Sequence, residues 1–284
     1  MKRNRPRLSR RTFWVLCALL VCLRLALTGF QQAYIWVGGA PLDDELMFRA
    51  ANSITAGQWL GAYDYLTLSK AMFFPVWLAL LHALHLPYLI SGAALWCGAA
   101  LTAAFAFSPL WRKKDPERGR VLTLALFAVL AFLPSSWASY TLRVYRDNIF
   151  PALCLYFFAG MAGMALRAVQ EKPAPLWPWL AAAGAGLACG YLDREDAGLF
   201  LLPFAAAATG IVAVVLAGKR RWRALAAQAI PYAMLGAGVL TFCTLNYTHY
   251  GVFALSDFSE GSFAAAMGAM MRVDTDSDKP YVSV

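Results

Sequence analysis

Apolar residues along this chain come in unbroken runs, with neither strand-like alternation nor a sustained heptad. Runs of roughly 17–25 apolar residues can cross a bilayer as helices. On that measure the sequence predicts spans near 13–31, 88–110, 121–138, 148–167, 176–192, 198–218 and 224–246. A shorter run, Phe73 to Leu86, carries His82 and His85 and ends at Pro87, so it reads as a helix lying in or dipping into the membrane interface. Only helices and closed barrels satisfy their backbone inside lipid, and barrel strands would alternate in polarity. The prediction is an all-α, polytopic membrane helical bundle of about seven transmembrane helices. Its first outer loop, about 32–87, is long and contains interfacial helices. The membrane module covers 1–247, and 248–284 begins an outer-face segment.

Composition strengthens this picture. Sixty per cent of the 284 residues are apolar, 14% are charged, and the mean hydropathy is +0.54. Ordinary soluble domains are about a quarter charged, so that class is excluded, as are disordered and coiled-coil chains. All six cysteines (Cys17, Cys22, Cys97, Cys154, Cys189 and Cys243) fall in apolar runs, where each reads as a small packing residue. The net charge of +9 does not imply nucleic acid, because the basic residues form short clusters between apolar runs. That is how membrane topology is written. With the N-terminus inside, the cytoplasmic side receives Lys2, Arg3, Arg5, Arg7, Arg10 and Arg11. It also receives Arg112, Lys113, Lys114, Arg118, Arg120, Arg167, Lys172, Lys219, Arg220, Arg221 and Arg223. These are seventeen of the 25 basic residues, while 13 of the 16 acids fall outside. Counting Phe73–Leu86 as a span would move the 112–120 cluster outside, against the positive-inside rule. Six basic residues before an apolar stretch resemble a signal peptide, but no small-residue cleavage pattern follows, so the first helix is expected to be retained.

Candidate chemistry gathers on the outer side. The first loop holds Asp43-Asp44-Glu45 and Lys70, the second Arg143, Arg146 and Asp147, and the third the turn Asp193-Arg194-Glu195-Asp196. The final segment holds Asp257, Glu260, Arg272 and three further acids. A carboxylate can accept a proton from an acceptor hydroxyl. Lysine and arginine can hold a phosphate and stabilise the charge it gains as a bond to it breaks. Each group also has a plainer reading: a solvated charge run for the three acids, an interfacial anchor for Arg143–Asp147, a helix cap for Asp193–Asp196. Arg24 sits inside the first apolar run, where a charge is either functional, paired or snorkelling to the head groups. His82, His85 and His249 have no ligand spacing. The outer carboxylates leave a divalent cation open as a cofactor. Asn246-Tyr247-Thr248 matches a glycosylation acceptor at a predicted helix end, read as chance.

Three stretches sharpen this reading: Leu42-Asp43-Asp44-Glu45-Leu46-Met47-Phe48-Arg49-Ala50-Ala51, Leu66-Thr67-Leu68-Ser69-Lys70-Ala71-Met72-Phe73-Phe74-Pro75, and Leu192-Asp193-Arg194-Glu195. With Tyr140–Asp147 between them, they resemble, in order, the motifs of GT-C membrane glycosyltransferases, the superfamily of protein O-mannosyltransferases and lipid A aminoarabinose transferases. The resemblance implies inverting sugar transfer from a polyprenyl-phosphate donor to a lipid, glycan or protein acceptor at the outer face of a bacterial-type inner or plasma membrane. It makes Asp44 the leading general base with Asp43 second. Lys70, Arg143 and Arg146 hold the donor phosphate, and Asp147, Arg194, Glu195 and Arg24 support them. Family members commonly continue beyond this length, so the chain is expected to be an N-terminal fragment. The competing expectations are a transporter or flippase of lipid-linked saccharides, and a non-catalytic envelope assembly subunit.

Overall fold

The computed structural model describes residues 8–112, 115–171, 174–257 and 262–273. Lys2, Arg3, Arg5, Arg7, Lys113, Lys114, Lys172, Glu260 and the acids Asp274, Asp276 and Asp278 lie outside the described residues. The fold is helical, and among the described residues the one β contact is an isolated bridge between Tyr34 and Arg143. The helices are α1 (Arg10–Gly29), α2 (Pro41–Thr55), α3 (Phe73–Ala83), α4 (Tyr88–Phe107), the single turn α5 (Pro109–Arg112), α6 (Pro116–Ala131), α7 (Phe150–Ala168), α8 (Trp177–Asp193), α9 (Ala197–Gly218), α10 (Trp222–Ala227), α11 (Ala229–Tyr250) and α12 (Ser262–Met270).

Five helical stretches are long and apolar enough to cross a membrane: Arg10–Gly29, Tyr88–Trp111, Arg146–Ala168, Ala197–Gly218 and Trp222–Tyr250. The two other predicted spans form shorter helices. α6 has 16 residues, and its first turns carry Glu117, Arg118 and Arg120. It stops at Ala131, just before Pro134, and the chain continues in three 3-10 turns, Pro134–Trp137, Ser139–Leu142 and Arg146–Asn148. The run 121–138 was therefore apolar without being helical throughout. α8 has 17 residues, about 25 Å at 1.5 Å per residue, against a hydrocarbon core of about 30 Å. The run 224–246 is divided at Gln228, so that α10 is a short piece ahead of α11.

Local chemistry sets these ends. Ser9 caps α1 by accepting the Thr12 amide at 3.1 Å. Asp115 caps α6 by accepting the amides of Glu117 and Arg118, with Pro116 at its first position. Gly251, at φ +72°, ends α11 in the left-handed conformation that glycine adopts without penalty.

Close packing of the bundle depends on small residues. A β-carbon at Gly186 of α8 would sit 2.5 Å from the Leu153 carbonyl oxygen and 2.6 Å from the Phe157 amide nitrogen of α7. At Gly160 of α7 the same test meets the Trp179 carbonyl at 2.5 Å and the Ala183 amide at 2.6 Å. The two backbones thus touch through glycine, the usual device where lipid offers no hydrophobic drive between helices. α4 packs with an alanine face of Ala99, Ala100, Ala103, Ala104 and Ala106.

Charges separate to the two ends. One end carries Arg10, Arg118, Arg120, Arg167 and Lys219–Arg223; there Arg120 donates to the Leu8 carbonyl at 2.6 Å, and Arg167 to the Phe105 carbonyl at 2.9 Å while lying over Trp179. The opposite end holds α2, α3, the 134–149 segment and the α8–α9 turn. Here α2 and α3 each bury one side and leave another exposed at Leu42, Phe48 and Leu80. Leu46, Met47, Leu68, Met72 and Phe74 are buried with Tyr145, Ile149 and Leu153 in one apolar cluster.

Candidate functional site

The acidic end of the bundle holds adjoining groups of paired charged side chains drawn from four parts of the chain. Pro41 starts α2, which places Asp43 and Asp44 in its first turn, where the helix dipole favours carboxylates. The Tyr34–Arg143 bridge is built by the Tyr34 amide donating to the Leu142 carbonyl (3.2 Å) and the Val144 amide donating to the Tyr34 carbonyl (2.9 Å). It brings the 139–148 segment alongside this turn. Tyr88 at the head of α4 donates to the Arg143 carbonyl at 2.8 Å and fixes the segment from its other side.

Asp44 is 1% exposed. Its Oδ1 accepts from Arg143 Nε (3.0 Å) and from Arg143 Nη2, and its Oδ2 accepts the Trp36 amide at 2.6 Å. Both oxygens of the carboxylate expected to lead as base are therefore occupied and shielded. Asp43 differs. About a third of its side chain is exposed; its Oδ2 accepts from the Tyr145 hydroxyl at 3.2 Å, and its Oδ1 lies 3.7 Å from Lys70 Nζ. Lys70, itself 30% exposed, also approaches Glu195 Oε1 at 3.4 Å. The lysine stands between two carboxylates at distances longer than a close ion pair.

Beneath them lies Arg146, 4% exposed. It pairs with Glu195 through Nη1 and through Nη2 (3.2 Å), donates to the Tyr145 hydroxyl at 2.8 Å, and reaches the Asp193 carbonyl at 3.3 Å. Burial works against the charged form of Glu195, yet the Arg146 pair, helped by Lys70, outweighs it and holds this carboxyl at about 2, well below its ordinary 4.5. Burial, with Asp43 and Glu195 adding to it, pushes the Tyr145 hydroxyl up to about 12 against the opposing pull of Arg146, so Tyr145 keeps its proton and remains a donor. Arg194 closes the network on a further side, donating to Asp147 Oδ1 at 2.9 Å and to Asp196 at 2.8 and 3.0 Å. Asp196 stands at the N-cap of α9 but makes no side-chain cap bond, because Arg194 takes its carboxylate.

Folding thus gathers Asp43, Asp44, Lys70, Arg143, Arg146, Asp147, Arg194 and Glu195. Arg143 and Arg146, expected to hold phosphate directly, are buried and committed to Asp44 and Glu195. Arg24 does not join the network; it stacks on Trp137 in a separate cleft. Glu45 and Arg49 also lie apart, with Arg49 gripping Asp64 at 2.7 and 2.9 Å. Tyr145 was missed by sequence reasoning, although it is the hydroxyl that joins Asp43 to Arg146. Its place between two arginines was the available signal. The segment after α11 also contributes: the Asp257 amide donates to the Leu68 carbonyl at 2.8 Å, and Leu68, two residues before Lys70, is held at φ +59°. Asn246 is 1% exposed, accepts from Trp59 Nε1 at 2.7 Å and donates to the Ala254 carbonyl at 2.7 Å, so its amide is taken.

Among the described residues no three His, Cys, Asp or Glu side chains gather to hold a metal ion. His82 and His85 rings lie 6.4 Å apart without a third ligand. Comparison with family models, with curated proteins and with solved structures gives no match.

Proposed function

We propose that this chain is a membrane glycosyltransferase that moves a sugar from a polyprenyl-phosphate donor to an acceptor hydroxyl at the outer face, with inversion. The observation that carries the proposal is Lys70 standing part-exposed between Asp43 and Glu195, 3.7 and 3.4 Å away, over a buried arginine. A cation and an open carboxylate are presented side by side, each fixed from below, as preorganised acid–base and electrostatic catalysis requires.

In the proposed step Asp43 takes the proton of the acceptor hydroxyl as its oxygen attacks the anomeric carbon. The bond from that carbon to the phosphate oxygen breaks, and the polyprenyl phosphate leaves with the electron pair. Lys70 stabilises the added negative charge. Asp44 and Arg143 then act as a positioning pair that fixes the first turn of α2 beside the 139–148 segment. Arg146 sets Tyr145 and Glu195. The proposed topology has seven spans, with α6 and α8 included despite their length, and the basic end in the cytoplasm, in keeping with the positive-inside rule. A flippase would carry a charged head group through the bundle, which calls for polar groups along its length; among the described residues, α4, α7, α8, α9 and α11 hold no charged side chain in their middle turns.

The test is an assay of the protein in nanodiscs with a panel of polyprenyl-phosphate sugars, following release of the free lipid phosphate. Asp43→Asn is expected to cut transfer by about 10²–10⁴-fold while donor binding survives, and Lys70→Ala to weaken donor binding and turnover together. Transfer by Asp43→Asn at the wild-type rate would overturn the assignment of the base. Absence of transfer with every donor would overturn the activity.

A further inference from the structure

The basic end of the bundle holds a cavity of about 320 Å³ between α1, α4 and α6. Small-molecule sites start at about 300 Å³. Its lining is Arg10, Phe13 and Trp14 of α1, Phe105 of α4, and Arg120 and Thr123 of α6. The aromatic wall is fixed: Trp14 stacks on Phe105 with ring centroids 5.5 Å apart, and Phe13 meets Phe105 edge-on at 5.9 Å. Thr123 is spent, donating to the Gly119 carbonyl at 2.8 Å and accepting from Trp111 Nε1 at 3.0 Å.

The two arginines are not. Arg120 is half-buried, and its Nε donates to the Leu8 carbonyl at 2.6 Å, which fastens the opening of α6 to the start of α1. Its terminal nitrogens make no hydrogen bond to a described residue. Arg10 is exposed, and its side chain makes none to a described residue either. Among the described residues no carboxylate comes within ion-pair range of either guanidinium. Asp115, the acid at the head of α6, is committed to capping that helix and does not line the cavity.

Two guanidinium groups from distant parts of the chain therefore line one accessible space without a counter-charge. Both α1 and α6 begin at this end, so the positive ends of their dipoles add to the same potential. Arginine forks match the oxygens of a phosphate. What carries that phosphate is indicated by α1. Val15, Leu19, Leu23 and Leu27 are exposed at four-residue spacing, an apolar stripe that starts one residue past Trp14. From Val15 to Leu27 it runs about 18 Å, longer than one leaflet's half of a hydrocarbon core of about 30 Å. The cavity lies where a head group would sit, at the end of a surface that accepts acyl chains.

We infer that this cavity binds the phosphate of an anionic membrane lipid, with Arg10 and Arg120 holding its oxygens and the acyl chains lying along the exposed stripe of α1. A zwitterionic lipid brings its own ammonium to the two arginines, so the site selects by net charge. It stands at the opposite end from the proposed transfer chemistry, and its readout does not depend on that chemistry.

The experiment is native mass spectrometry of the full chain released from nanodiscs of equimolar phosphatidylglycerol and phosphatidylcholine. Wild type is expected to retain phosphatidylglycerol about tenfold over phosphatidylcholine, Arg10→Gln and Arg120→Gln about threefold each, and the double variant equally. Arg118→Gln, an exposed neighbour on α6 that does not line the cavity, should keep the wild-type preference. Should Arg120→Gln fail to fold for want of its tie to Leu8, the exposed Arg10 still carries the test. Equal retention of both lipids by wild type, an unchanged preference in Arg10→Gln, or the same loss in Arg118→Gln would overturn the inference. Arg10-dependent binding of inorganic phosphate by the lipid-free protein, without any lipid preference, would overturn the lipid source.

Discussion

Asp43 and Asp44 are adjacent in sequence and opposite in circumstance. One is buried with both oxygens spent on Arg143 and the Trp36 amide, and the other, a third exposed, is held loosely by the Tyr145 hydroxyl and Lys70. The acid pair was legible in the sequence as a motif, and so was its convergence with distant cations. Which of the two is the more exposed was not, because it depends on the Tyr34–Arg143 bridge, a backbone contact across more than a hundred residues that leaves no local signature. Glu195 yields a prediction at this scale. Its carboxyl is held at about 2 in the fold and titrates near 4.5 when unfolded. The unfolded state therefore binds the proton more readily, and Glu195 stabilises the fold fully above pH 4.5 and progressively less as pH falls toward 2. In detergent, thermal unfolding of Glu195→Gln should lose less stability than wild type between pH 4.5 and 2. Parallel curves would show that the pair with Arg146 adds nothing.

At the level of elements, apolar run length predicted where helices lie better than how far they extend. α6 opens ahead of the predicted 121 and stops at Ala131, before Pro134, short of the predicted 138, whereas α8, Trp177–Asp193, lies within a residue of the predicted 176–192 and meets its neighbours through alanine and glycine. The glycines supply the check. Gly186→Ala forces a β-carbon against the α7 backbone and should cost about 1–3 kcal/mol, read as a lowered unfolding temperature in detergent. Gly236→Ala in α11 meets nothing within 4 Å and should cause no loss. Equal effects at the two sites would mean that close approach of α7 and α8 does not limit stability.

Across the whole molecule, charge is sorted by end: basic at the turns around 118 and 220, mixed and networked at the turns around 44, 145 and 195. Sequence alone carried this sorting, since it needs only the order of runs and clusters. Single cysteines at Gln58 and Lys219, in a background freed of the native six, report its direction. A membrane-impermeant maleimide on intact cells should label Gln58→Cys and spare Lys219→Cys; the reverse pattern would invert the molecule.

The tie between Trp59 and Asn246, with Asp257 fastened to Leu68, has a temporal meaning as well. A ribosome emits the first loop well before α11, so these two ties can close only after α11 and the stretch to Asp257 have been made, while the packing of Leu68, Met72 and Phe74 on α2 and the 145–153 stretch can form earlier.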